Sequence, residues 1–175
     1  MPAWLGVDRA LAGWLAWRQR ADAVLVADAG TVLSLTRIDR DGRFAGGRLM
    51  AGLTLQLRAM AEGTAALPGP PEPGELSDLL VQEAWPAVTR AAMAVGVLQG
   101  LAAALAVAFR QARAEMPSCC LVLSGGDACS LLPLVKELLA GEADAAIHEP
   151  DLALRGLVAL RPLEGDQARL RSAST

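Results

Sequence analysis

The stretch Ala23-Val-Leu-Val-Ala-Asp28-Ala-Gly-Thr31-Val-Leu-Ser-Leu-Thr-Arg-Ile38, running on through Asp39-Arg-Asp-Gly42 to Arg43–Met50, decides the fold. Ala23 to Ala27 is a short continuous apolar run, the pattern of a buried strand. It ends at Asp28-Ala-Gly-Thr31, where the glycine allows a tight turn into a second strand, Val32 to Ile38. Asp39-Arg-Asp-Gly42 is a hairpin signal, because Asp-Gly accepts the backbone angles of a short turn. A third strand, Arg43 to Met50, follows. The reading predicts an antiparallel meander of three strands.

Working outward, Leu5, Leu11, Trp14 and Leu15 with the polar run Arg18 to Arg20 predict a helix starting near Val7 or Asp8. Gly52 to Ala66 reads as a helix, and Leu67-Pro-Gly-Pro-Pro-Glu-Pro-Gly74 as an extended connection that cannot continue it. A helical region from about Leu76 is interrupted at Pro86, and an Ala-rich helix runs from Thr89 to about Glu115. Cys119 to Ser124 reads as a buried strand closed by Gly125-Gly126. A helix over Asp127–Leu139 follows, with Gly141 as its stop signal. Ala145 to His148 is a short strand, Asp151 to Leu160 a final apolar helix or turn, and residues from Glu164 onward a polar tail. Three strands followed by alternating helices and strands is an α/β layout, that of a ribonuclease H-like lobe as found in sugar kinases and actin.

Composition narrows the function classes. The chain has 175 residues, 53% hydrophobic and 20% charged, enough for one domain with a real core. Sixteen basic against nineteen acidic residues give a net charge of −3, which excludes a disordered chain and argues against nucleic acid as a partner. The three cysteines, Cys119, Cys120 and Cys129, fit neither a disulfide framework nor a zinc site and predict reduced thiols in a cytoplasmic protein. The apolar stretch Trp4 to Trp17 is broken by Asp8 and Arg9, unlike a signal peptide. Ala91 to Phe109 carries no charge and is long enough to span a membrane. Its Ala, Gly and Val content favours a buried helix instead, so no membrane partner is expected.

Four segments could carry chemistry. Asp28-Ala-Gly-Thr31 offers a carboxylate, a backbone that a phosphate can approach and a hydroxyl, or else a plain Asx-type turn. Ser124-Gly-Gly-Asp127 joins a strand to a helix N-terminus, where a nucleotide can lie, or else simply caps the helix through Asp127. Gly6-Val-Asp8-Arg9 sets a carboxylate beside a guanidinium, or else starts a surface helix. Thr89 reads equally as a helix cap. His148, the single histidine, reads as structural at a strand end and excludes any multi-histidine metal site.

Together these segments resemble type III pantothenate kinase. The matching pieces run in family order: Gly6-Val-Asp-Arg9, Asp28-Ala-Gly-Thr31, Gly42 through Gly46-Gly47 to Gly52, Thr64-Ala-Ala-Leu-Pro68, Thr89-Arg-Ala-Ala-Met-Ala-Val-Gly96, Ser124-Gly-Gly-Asp-Ala128 and Asp151-Leu-Ala-Leu-Arg-Gly-Leu157. The resemblance implies ATP-dependent phosphorylation of pantothenate to 4′-phosphopantothenate in coenzyme A biosynthesis. Asp8 would be the general base, with Gly6, Val7, Arg9 and Thr89 in the pantothenate site. Thr31, Gly125 and Gly126 would contact ATP. Asp28 would hold a monovalent cation, potassium or ammonium, and a divalent cation, magnesium, would accompany ATP. A homodimer in the cytoplasm is implied as well.

The resemblance also implies departures. The family's N-terminal lobe, with its Asp-x-Gly-Asn phosphate loop, has no counterpart here, so a kinase lacking that lobe is expected. Residues 1–20 would be a helix from the end of the first lobe or the inter-lobe region, 21–162 the second lobe and 163–175 the tail. The family's proline before Gly52 is Ala51, and an expected Asp is Thr36. The alternative reading is a non-catalytic single lobe that dimerises or binds pantothenate.

Overall fold

A computed structural model describes residues 2–71 and 84–161 of the chain. The elements are α1 (Val7–Arg20), β1 (Val24–Ala29), β2 (Val32–Ile38), β3 (Phe44–Ala51), α2 (Leu53–Glu62), α3 (Thr89–Glu115), β4 (Cys120–Ser124), α4 (Ala128–Leu139), a 3-10 segment (Ala140–Ala145), β5 (Ala146–His148) and α5 (Leu152–Ala159). The strands form one sheet in the order β3-β2-β1-β4-β5. β1 runs antiparallel to β2 and β2 to β3, whereas β4 is parallel to both β1 and β5. A meander extended by a strand-helix-strand unit is the ribonuclease H-like arrangement that the order of elements predicts.

Alternation along β1 sorts the helices onto the two faces, because successive side chains of a strand point oppositely. Leu25, Ala27 and Ala29 join the cluster containing Leu53, Leu57, Leu105, Phe109 and Leu131, so α2, α3 and α4 cover one face. Val24 and Val26 join Ala12, Leu15, Ala16 and Leu152, so α1 and α5 cover the other. The long apolar helix is therefore a core element: Leu98, Leu105 and Phe109 are each 0% exposed. Its small side chains let it lie close against the sheet. The hairpin at Asp39–Gly42 sits beneath α1, where Trp17 Nε1 donates to the Arg40 carbonyl at 3.0 Å.

Several boundaries differ from expectation. β1 extends through Asp28 to Ala29, which leaves only Gly30 and Thr31 for the turn. α2 stops at Glu62 rather than Ala66, where Gly63 donates its N–H to the Ala59 carbonyl at 2.9 Å. Val88, not Thr89, occupies the cap position of α3. α4 ends at Ala140 in a positive-φ conformation (φ 47°) and turns into the 3-10 segment, so Gly141 is not its stop. Residues 84–88, around Pro86, are not helical. The expected helix from Leu76 up to residue 83 and the tail over 163–175 lie outside the described residues.

Candidate active site

The sheet register builds the site. Asp28 pairs with Ser34 on β2 and with Ser124 on β4, so three polar side chains form one row across the sheet. Asp28 has the parity of Val24 and Val26 and faces the α1 side. In the adjacent row Thr36 pairs with Val26 and Gly47. Ser34, Thr36 and Ser124 are the buried polar residues among those described, at 7%, 1% and 4% exposure. Burying polar groups costs free energy unless they are hydrogen-bonded, and among the described residues no buried side-chain polar atom lacks a partner.

Helix α1 runs over this face and brings in the Gly-Val-Asp-Arg segment. Asp8 is exposed in the first turn of α1, and its carboxylate turns back over Gly6, where a β-carbon would meet Oδ1 at 2.6 Å. Arg9 reaches inward: its Nε donates to Thr36 Oγ1 at 3.3 Å. Burial, and after it the negative charge of Asp8, hold the Asp28 carboxyl above its ordinary value. The charge of Asp8 thus reaches Asp28 although twenty positions separate the two in sequence.

Beyond Asp28 the chain opens a cleft of about 360 Å³ between the β4–α4 turn and the start of α5, lined by Asp28, Ser124, Gly125, Gly126, His148 and Asp151 among others. Gly125 adopts φ +90° and packs against Asp28. Ser124 Oγ accepts from the Leu152 N–H at 3.3 Å and ties α5 to the cleft. The turn amide of Asp127 donates to the Ala29 carbonyl at 3.0 Å, so it is already occupied and unavailable to a phosphate. Asp127 has no side-chain cap bond, and burial raises its carboxyl.

The predicted residues are therefore unevenly gathered. Asp28, Gly125 and Gly126 line the cleft, whereas Asp8 is exposed in the first turn of α1 and is not part of the lining. Gly6, Val7 and Arg9 travel with Asp8 on α1. Thr31 and Thr89 are not part of the cleft lining, and both are exposed. The Thr31 carbonyl is engaged by the Gly52 N–H at 2.9 Å. A β-carbon on Gly52 would lie 1.9 Å from the Gly30 oxygen, so glycine is required there by contact. Sequence reasoning missed Ser34, whose signal is a hydroxyl inside an apolar strand opposite Asp28, and the place of His148 in the cleft wall. Another hollow of about 250 Å³ lies on the opposite face. Its Arg37 and Arg48 are engaged by Glu115 at 2.5 Å and Gln111 at 2.6 Å.

Comparison with known proteins identifies the family of the chain. The family model for type III pantothenate kinase matches residues 1–111. The type III pantothenate kinase of Synechococcus elongatus is 37% identical over 153 residues, covering 87% of this chain and 58% of the relative. That of Thermosynechococcus vestitus is 38% identical over 90% of this chain and 59% of its own length. That of Rhodopirellula baltica is 34% identical over 91% and 55%. The chain thus spans somewhat more than half the length of the relatives it matches. One solved structure, the activator of the 2-hydroxyisocaproyl-CoA dehydratase from Clostridium difficile with bound ADPNP, superposes over 96% of this chain and 69% of its own. It does so at 12% identity and a TM-score of 0.45. From the family match over residues 1–111 and the identity to these relatives, the chain belongs to the type III pantothenate kinase family.

Proposed function

We propose that the protein is an ATP-dependent pantothenate kinase that forms 4′-phosphopantothenate for coenzyme A biosynthesis, with this chain supplying the base and one wall of the nucleotide site. The observation that carries the reading is the gathering of Asp28, Gly125 and Gly126 in one cleft, with Gly125 packed directly against the Asp28 carboxylate. Phosphoryl transfer demands positioning and charge neutralisation more than an elaborate nucleophile. Asp8 is exposed in the first turn of α1, free to accept the proton of the pantothenate hydroxyl. Arg9, held by Thr36, would orient the same substrate together with Gly6, Val7 and Thr89. Gly125 and Gly126 would border ATP, and Thr31 would approach its phosphates from the β1–β2 turn.

The donor set at Asp28 fits a cation. Its carboxylate is half-buried, and the influences on it are burial and a second negative charge rather than any hydrogen bond. No cluster of three or more His, Cys, Asp or Glu side chains exists among the described residues, so other oxygens must complete the coordination. Asp28 would hold potassium or ammonium, and magnesium would arrive with ATP. Such cations supply charge neutralisation beside the phosphates. A soluble, cytoplasmic homodimer completes the proposal.

The test is to give the full-length protein ATP, magnesium, potassium and pantothenate and to follow 4′-phosphopantothenate by mass spectrometry. Product formation is expected. Pantothenate binding by titration calorimetry without product would favour the non-catalytic lobe instead.

A further inference from the structure

Cys129 lies in the first turn of α4 and is exposed, in contrast to the chain's other two thiols. Its Sγ stands 3.9 Å from Nδ1 of His148 at the end of β5, within the range of a sulfur hydrogen bond. Both side chains line the cleft that also contains Asp28, Gly125 and Gly126. Cys119 is 1% exposed, and burial pushes its thiol up to about 12. Cys120 is half-buried, and burial raises it too. The thiolate is the nucleophile of sulfur chemistry, so access and a neighbouring proton acceptor decide which cysteine reacts. Only Cys129 has both.

We propose that Cys129, paired with His148, is a modification site for small-molecule disulfides of the glutathione kind, set in the cleft wall where its modification excludes the nucleotide. The second half of this statement rests on the proposed placement of ATP beside Gly125 and Gly126. In the step itself, His148 Nδ1 takes the thiol proton, in the tautomer that carries hydrogen on Nε2. The Cys129 sulfur bonds to one sulfur of the disulfide, whose S–S bond breaks. The departing thiolate takes the proton from the imidazolium and leaves as a thiol. Cys129 is thereby oxidised to a mixed disulfide and the departing half is reduced. The group added is large relative to a cleft of about 360 Å³, so nucleotide and modification compete for the same space.

The test incubates the full-length protein with oxidised glutathione and reads the mass of each cysteine-bearing peptide over time. Cys129 is expected to be modified at least ~10-fold faster than Cys119 or Cys120, and His148→Gln to slow it several-fold. His148→Asn serves if the first variant does not fold, and the comparison among the three cysteines needs no variant. Equal rates at the three cysteines, or a rate at Cys129 indifferent to His148, would overturn the proposal. Magnesium-ATP is expected to protect Cys129, and the modified protein to lose ATP binding by calorimetry. If the unmodified protein binds ATP but gives no protection, the placement of the thiol in the nucleotide cleft is wrong. If the unmodified protein binds no ATP at all, the nucleotide reading has failed, and the peptide masses alone still decide whether Cys129 is the modification site.

Discussion

Gly125 lies so close to Asp28 that a β-carbon on it would sit 2.6 Å from Asp28 Oδ1 and 2.5 Å from the Ala29 carbonyl oxygen. The β4–α4 turn and the end of β1 are therefore fitted to each other through the absence of a side chain. Gly125 also adopts φ +90°, which L side chains reach only with strain. Gly125→Ala is expected to cost about 1–3 kcal/mol of stability from the backbone alone. It should also push the Asp28 carboxylate out of the cleft. Urea denaturation together with ATP titration checks this. A variant with parental stability and parental ATP affinity would refute the fit between the two residues.

Asp28 is expected to be better for function than for folding. Its folded carboxyl sits above the ordinary value of 3.8, first because of burial and then because of Asp8. Between the unfolded and the raised folded value, the folded chain retains a proton that the unfolded chain has lost. Stability from this group therefore falls as pH rises through that window and stays lowered above it. In buffer free of potassium and ammonium, Asp28→Asn should raise Tm at neutral pH and lose that advantage at pH values below the unfolded carboxyl. The group is half exposed, so screening keeps the gain under about 1 kcal/mol, a rise of no more than about 2–4 °C. The same variant should lose turnover and any preference for potassium over sodium. A Tm difference independent of pH, or a fully active variant, would count against the assignment.

Thr36 anchors Arg9, and it is 1% exposed. Thr36→Val keeps the volume and the strand propensity but removes the acceptor of the Arg9 Nε hydrogen. Hydrogen bonds to charged groups are worth about 1.5–3 kcal/mol, less where solvent can replace them. The expected outcome is an increase of ~5–10-fold in KM for pantothenate with kcat nearly unchanged, the signature of a lost positioning contact. Steady-state kinetics with Thr36→Ser as rescue measures it. A fall in kcat alone would place Arg9 elsewhere in the mechanism.

The meander was legible because apolar runs, a glycine turn and an Asp-Gly hairpin each carry a local physical cause. The long helix was legible for the same reason, from Thr89 to Glu115. The site was less so. Asp28 reads as a turn residue, yet ladder pairing with Ser34 and Ser124 draws it into β1. The effect of Asp8 on Asp28 depends on α1 doubling back over the sheet, which no local spacing encodes. Gly141 looks like a helix stop, yet Ala140 takes the positive φ one residue earlier because the chain tightens into a 3-10 turn. Thr89 has the chemistry of a cap, but Val88 holds that position.

The apolar helix α3 should behave as a core element in solution. Phe109 and Leu105 are each 0% exposed and belong to the principal core cluster. Phe109→Ala is expected to cost about 3–5 kcal/mol, the range for emptying an aromatic core position. Chemical denaturation of the detergent-free protein measures the loss. A variant within experimental error of the parent would mean that this face of α3 packs against something other than the sheet.

The account turns on Asp8 as the base, and the most direct test is the pantothenate-dependent turnover of Asp8→Asn in the full-length protein. General-base removal commonly costs ~10²–10⁴ in rate. Because Asp8 is exposed, its replacement leaves the core untouched. The account predicts a loss of that size in kcat, with Tm and pantothenate affinity close to the parent. An Asp8→Asn enzyme that phosphorylates pantothenate at the parental rate would contradict it.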